Sequence, residues 1–162
     1  MTKALFFDID GTLVSFETHA IPASTIEALT IAHEKGIKIF IATGRPKAII
    51  NNLADIQDRG LIDGYITMNG AYCFVGDEVI YKSAIPAGEV RALAQVCEQK
   101  GYPCIFVGEH TISVCQPNKL VHDIFYDFLH VDEIPVKTFE EAVQEEIFQM
   151  TPFVTVEEET EI

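Results

Sequence analysis

The stretch Leu5-Phe6-Phe7-Asp8-Ile9-Asp10-Gly11-Thr12-Leu13 begins as an apolar run and ends in two carboxylates one residue apart. A short apolar run bounded by a glycine reads as a buried strand of a parallel sheet. That places Asp8 at the strand's carboxyl end, the edge where open α/β sheets bind ligands. Side chains alternate along a strand, so the same reading sends Asp8 and Asp10 to one face. Two carboxylates that close need a cation between them, or one of them keeps its proton. Both arrangements are ingredients of metal-assisted nucleophilic and acid/base chemistry. Asp10-Gly11 is also ordinary turn chemistry, with the aspartate capping the turn. That second reading suits Asp10 better than Asp8, which is charged at the tip of a fully apolar strand.

Downstream, Val14 to Ile21 has no clear period and reads as a loop over the carboxylates; His19 in it either touches substrate or is simply solvated. Pro22-Ala23-Ser24-Thr25 opens a helix whose apolar positions Ile26, Leu29 and Ala32 recur every three residues and which stops at Gly36. Ile37 to Ala42 is a second apolar strand, so the first 42 residues form a right-handed βαβ unit. That strand ends in Thr43-Gly44-Arg45-Pro46, and Ile49, Ile50, Leu53 and Ile56 predict a helix running to Gly60. The Thr43 hydroxyl, the Gly44 amide and the helix N-terminus make an oxyanion cradle, to which Arg45 adds positive charge. A capping threonine beside a surface arginine is the alternative. Leu61 to Met68 supplies a third strand, and Asn69-Gly70 falls at the same sheet edge.

The pattern then changes. Ala71 to Val75 and Glu78 to Ser83 read as an antiparallel hairpin about Gly76-Asp77. Pro86 to Lys100 is an amphipathic helix with Val90, Leu93, Ala94 and Cys97 on one face, and Pro103 to Val107 pairs with Thr111 to Cys115. Asn118 to Leu129 is read as a helix whose stripe of Leu120, Val121, Ile124, Phe125, Phe128 and Leu129 faces the core. Phe139 to Glu146 is a short acidic helix and Ile147 to Val154 a strand. Thr155 and Glu158 fit a capping box ahead of a helix that stops unfinished at Ile162, which suggests that more protein belongs there. The expected organisation is one module over residues 1–82 and a second over 83–162.

The chain has 162 residues, 48% hydrophobic and 22% charged, enough for one good core or two small ones. No apolar run approaches the ~20 residues of a membrane span, and the N-terminus enters a strand directly instead of a signal peptide, so a cytoplasmic location is expected. Cys73, Cys97, Cys104 and Cys115 show neither C-x-x-C nor zinc spacing and read as free, mostly buried thiols. Net charge is −14, and residues 83–162 carry fifteen acidic against four basic side chains. Such a field repels nucleic acid and anionic membranes, and a small anionic substrate needs a local cation.

Three motifs at three strand ends, Asp8-Ile9-Asp10-Gly11-Thr12-Leu13, Ala42-Thr43-Gly44-Arg45 and Asn69-Gly70, resemble those of the haloacid dehalogenase (HAD) superfamily, in its Cof-type sugar-phosphatase branch. The resemblance implies an α/β fold, with a Rossmann-like parallel-sheet core (1–82, its first part) and an inserted α/β cap domain (83–162). It implies hydrolysis of small phosphorylated metabolites, hexose phosphates among them. Asp8 would attack phosphorus and become an aspartyl phosphate; Asp10 would protonate the leaving oxygen and then activate water. Magnesium would be held by the Asp8 carboxylate and the Asp10 backbone carbonyl, with Thr43 and the amides of Ile9 and Gly44 gripping the phosphoryl oxygens and Arg45 and Asn69 on the substrate.

Family members place a third-motif lysine and a fourth-motif acidic pair on core strands after the cap, and Lys100, Lys119 and Lys137 all fall within the cap. The missing strands would pair with the first, leaving Leu5 to Ile9 as an open apolar edge that favours self-association or pairing with the missing segment. Such a chain is expected to be nearly inactive alone. The alternatives are a truncated phosphate-binding fragment, a phosphomutase, and a receiver-like signalling domain, which fits poorly because receivers carry no inserted cap.

Overall fold

The computed structural model describes residues 3–131, 133–155 and 158. The chain divides into two compact units, Met1–Lys82 and Ser83–Ile162. In the first, the element order is β1 (Ala4–Phe7), α1 (Ala23–Glu34), β2 (Lys38–Ala42), a 3₁₀ turn (Lys47–Ile49), α2 (Ala54–Gln57), β3 (Gly64–Thr67), β4 (Tyr72–Val75) and β5 (Glu78–Lys82). Its five-stranded sheet has the order β1-β2-β3-β4-β5. β1 and β3 run parallel to β2, and the hairpin continues the sheet antiparallel beyond β3.

The core of this unit packs Ile9, Leu13 and Leu29 against Ile39, Ile41, Leu53 and Ile56. Ile39 and Ile41 are fully buried because β2 has a strand on each side. Among the described residues β1 has only one neighbouring strand, and Leu5 and Phe6 are 39% and 58% exposed. Leu5 and Phe6 thus lie on the open apolar edge expected for the first strand, and not in the buried strand that the run by itself suggests, with the Phe6 ring stacked on Phe40 at 5.0 Å. Asp63 ties the entrance of β3 to β2, its carboxylate accepting from Lys38 Nζ at 2.6 Å and from the Ile39 amide at 2.9 Å.

The helix expected from Ile49 to Gly60 is replaced by two short pieces, a three-residue 3₁₀ turn and the four-residue α2. The Ile49 carbonyl, which a continuous helix would spend within itself, instead accepts from Arg45 Nη1 at 3.0 Å. So short a turn has no aligned dipole to lend a cradle.

The second unit contains α3 (Ala87–Lys100), β6 (Cys104–Gly108), β7 (Ile112–Cys115), α4 (Lys119–Val121), a π-helical segment (His122–Phe128), α5 (Phe139–Ala142) and β8 (Ile147–Pro152). β6 lies between β7 and β8, antiparallel to both. Val90, Ala94 and Cys97 of α3 pack with Phe106, Phe139 and Ile147. α5 begins at a capping box in which Thr138 and Glu141 satisfy each other's backbone amides. All four cysteines are free, and Cys104 and Cys115 sit directly opposite each other on β6 and β7.

The stripe between Leu120 and Leu129 is only partly core. Val121 and Phe125 are buried, whereas Leu120 and Phe128 are 44% and 51% exposed. The cause is the wider π turn, seen where the Leu129 amide donates to the Ile124 carbonyl at 3.0 Å, which breaks the 3.6-residue period on which the stripe was counted. The Thr155–Glu158 capping contacts are present, the Thr155 amide donating to Glu158 Oε2 at 2.8 Å. The helix expected after them lies outside the described residues.

Candidate active site

The carboxyl ends of the parallel strands in the first unit converge on one cavity. Asp8 follows β1, Thr43 and Gly44 follow β2, and Asn69 and Gly70 follow β3; with Ala42 and Ile66 they line a space of about 320 Å³. The loop after β2 is pinned to the end of β3, with the Thr43 amide donating to the Ile66 carbonyl at 2.9 Å and the Asn69 amide to the Thr43 carbonyl at 3.2 Å. Met68 and Asn69 both take positive φ (51° and 54°) ahead of Gly70, turning the chain sharply at this edge. The Asn69 amide group lies over Gly44, where an added Cβ would meet its Oδ1 at 3.1 Å, so a glycine keeps the backbone open to a ligand there.

Thr43 is buried, and its Oγ1 accepts from the Arg45 amide at 3.1 Å. A hydroxyl engaged as acceptor keeps its own proton to donate, which suits a grip on an anionic oxygen. Asp8 is exposed at the cavity wall.

Asp10 and Arg45 are placed differently from the sequence expectation. β1 ends at Phe7, and residues 9–14 fold into turns in which the Leu13 and Val14 amides donate to the Ile9 carbonyl at 3.1 and 2.9 Å. The alternation of a strand thus does not extend to Asp10. Gly11 takes φ 76° in this turn, a conformation that glycine adopts without strain. Arg45 reaches back to Asp10 as a two-pronged fork, Nε to Oδ2 at 2.8 Å and Nη2 to Oδ1 at 2.8 Å. Its side chain is only 8% exposed, against 31% for Asp10. The cation that neutralises Asp10 is therefore a guanidinium of the chain itself. Asn51 Oδ1, at 3.4 Å, and the Ile49 carbonyl hold the third guanidinium nitrogen. Neither Asp10 nor Arg45 is among the residues lining the cavity.

Of the residues singled out in the sequence, Asp8, Thr43, Gly44 and Asn69 meet at the cavity, Asp10 and Arg45 pair beside it, and the buried Ile9 carries the turn between the two aspartates. Ala42, Ile66 and Gly70 were not anticipated as lining residues, although each adjoins a motif. Asn51 and the Ile49 carbonyl carried no sequence signal, because the role depends on a helix failing to form.

The sequence model of the haloacid dehalogenase-like hydrolase family matches residues 5–162. The chain belongs to that family. Among solved HAD structures, one described as the subclass IIB sugar phosphatase BT4131 is 76% identical, with a TM-score of 0.93, and covers 99% of this chain and 62% of its own. A phosphatase of the same superfamily, BT1666 from Bacteroides thetaiotaomicron, is 32% identical with a TM-score of 0.81, over 100% of this chain and 59% of its own. YkrA of Bacillus subtilis (strain 168), whose name describes it as a candidate phosphatase, is 29% identical over 98% of this chain and 60% of its own length. The chain thus spans about three fifths of the HAD relatives it matches. No helix among the described residues is long and apolar enough to cross a membrane.

Proposed function

We propose that this chain carries the nucleophile and phosphate cradle of a magnesium-dependent phosphatase that hydrolyses small phosphorylated metabolites, sugar phosphates above all, in the cytoplasm. Residues 1–82 are the first part of its catalytic core and residues 83–162 its α/β cap. The observation that carries the reading is the convergence of Asp8 with Thr43, Gly44 and Asn69 on one cavity at the strand ends.

In the reaction, an Asp8 carboxylate oxygen forms a bond to phosphorus as the bond to the sugar oxygen breaks, and Asp10 gives its proton to the departing oxygen. Water then attacks the aspartyl phosphate, the bond from phosphorus to Asp8 breaks, and Asp10 takes the water's proton. The Thr43 hydroxyl and the Ile9 and Gly44 amides hold the phosphoryl oxygens, where fixed donors act most strongly. The Asp8 carboxylate and the Asp10 backbone carbonyl are hard oxygen donors that fit magnesium, an ion that keeps water in its remaining positions. When bound, it supplies neutralisation of the phosphoryl charge.

The test uses the full-length enzyme with hexose 6-phosphate. Asp8→Asn should leave less than a few per cent of turnover, and chelator should silence the native enzyme until magnesium is restored. Turnover by Asp8→Asn at the native rate overturns the nucleophile, and full activity in excess chelator overturns the metal.

A further inference from the structure

We propose that Cys97 and Cys104, in the core of the second unit, are a peroxide-responsive dithiol that closes to a disulfide and staples the end of α3 to the central strand of its sheet. Three thiols that no step of the reaction uses meet in this core. Cys97 comes from the buried face of α3, Cys104 opens β6, and Cys115 lies directly opposite Cys104 on β7; each is 0% exposed. All three belong to one packed cluster with Phe106 and Phe139. Cys97 and Cys104 hydrogen-bond each other through their thiols. The turn between them is fixed, because Gly101 ends α3 in the left-handed conformation (φ 73°) and the Tyr102 amide donates to the Cys97 carbonyl at 2.9 Å. Joining two thiols already in contact needs no added volume, which suits a packed core better than taking up a ligand does.

The two sulfurs are unequal. The hydrogen bond with Cys104 holds the Cys97 thiol below the usual cysteine range against the opposing effect of burial, while the same bond and burial both push Cys104 up. Cys97 is therefore the attacking sulfur. With hydrogen peroxide as oxidant, the Cys97 thiolate forms a bond to one peroxide oxygen, the O–O bond breaks, and the departing hydroxide takes up the proton that Cys97 gave away. The Cys104 sulfur then attacks the sulfenic sulfur of Cys97. The S–S bond forms, the S–O bond breaks, and hydroxide leaves with the Cys104 proton as water. Two thiols and one peroxide thus give one disulfide and two waters. With a resolving thiol in contact, the sulfenic acid closes before a second peroxide oxidises it further. Burial makes local opening at the end of α3 the slow step, so the pair stays a dithiol in a reducing compartment and closes under sustained peroxide.

The test treats the 162-residue chain with hydrogen peroxide, then denatures, alkylates and maps it by mass spectrometry. The oxidised monomer should be lighter by two hydrogens, with the peptides of Cys97 and Cys104 joined and Cys115 still open to alkylation. Dithiothreitol should reverse the change. Thermal unfolding of the second unit, followed at β6 amides, should move up by about 10 °C in the oxidised chain. Cys73→Ser, which removes the half-buried thiol of the first unit, should close the same bond, and so should Cys115→Ala. Cys104→Ala should instead leave oxygen on Cys97, because nothing resolves the sulfenic acid. If a core variant does not fold, the map of the native chain decides. A bond to Cys115, three core thiols that all survive peroxide sufficient to oxidise Cys73, or an oxidised chain no more stable than the reduced one would each overturn the proposal.

Discussion

Two strands of similarly apolar sequence meet opposite fates. β1 reads Ala4-Leu5-Phe6-Phe7 and is largely exposed, while β6 reads Cys104-Ile105-Phe106-Val107-Gly108 and is buried throughout. Among the described residues β1 pairs with β2 alone, whereas β6 is flanked by β7 and β8 and its Cys104 and Phe106 pack with α3 and α5 residues. Apolar composition specifies a strand in both cases, and exposure follows the number of neighbouring strands that each has among the described residues. The first unit gathers Asp8, Thr43 and Asn69 at strand ends, and its inter-strand ties include charged groups. The second spends its central strand on packing.

The sharpest way to break this contrast is at Phe106, which is 1% exposed and meets Phe139 edge-on at 5.9 Å. Phe106→Ala should cost about 3–5 kcal/mol by emptying that space. Denaturant unfolding followed by hydrogen exchange at β6 amides reads it, and a loss below about 1 kcal/mol would show that β6 is not the packing centre.

Asp63 tests the ionic side of the contrast. Burial pushes its carboxyl up, but the Lys38 ammonium and the Ile39 amide outweigh this and hold it below the usual aspartate range. Because the folded value is depressed, its contribution is present above the ordinary value of about 4 and disappears as pH falls through the folded one. Asp63→Ala should cost roughly 1–3 kcal/mol at neutral pH and flatten that part of the acid dependence. An acid limb identical to the native one at β2 amides would remove Asp63 from the account.

Phe6 gives the smallest expected change. Phe6→Thr keeps a strand former and removes an exposed ring, so stability should stay within about 0.5 kcal/mol. Self-association of the 162-residue chain, measured by light scattering, should fall, since an apolar open edge is a template for a further strand. A large stability loss would mean that the stack on Phe40 carries β1.

Much of the fold could be read before any coordinates. Period and punctuation located α1 between Pro22 and Gly36, the run ending at Ala42 is β2, and β3 (Gly64–Thr67) lies inside the longer run from Leu61 to Met68. Failures came where a tertiary contact overrode local pattern. The apolar residues from Ile49 to Ile56 have helical spacing, yet Arg45 claims the Ile49 carbonyl. The stripe from Leu120 to Leu129 was counted at 3.6 residues per turn, whereas the chain there winds wider. Within the site, the residues that line the cavity follow strand ends, which sequence marks clearly. The Asp10–Arg45 fork joins positions 35 apart, and no local signal announces it.

The thiols give the molecule an internal record of its own opening. Cys97, Cys104 and Cys115 are each 0% exposed in the second unit, and burial pushes the Cys115 thiol up to about 11, while Cys73, in the first unit, is half-buried. Alkylation needs both access and thiolate. Cys73 is already partly open to a small alkylating reagent and can react without unfolding, whereas three further mass increments mark each molecule whose second unit has come apart. Counting those three increments against time turns an ordinary mass spectrum into a molecule-by-molecule log of when the second unit lets go.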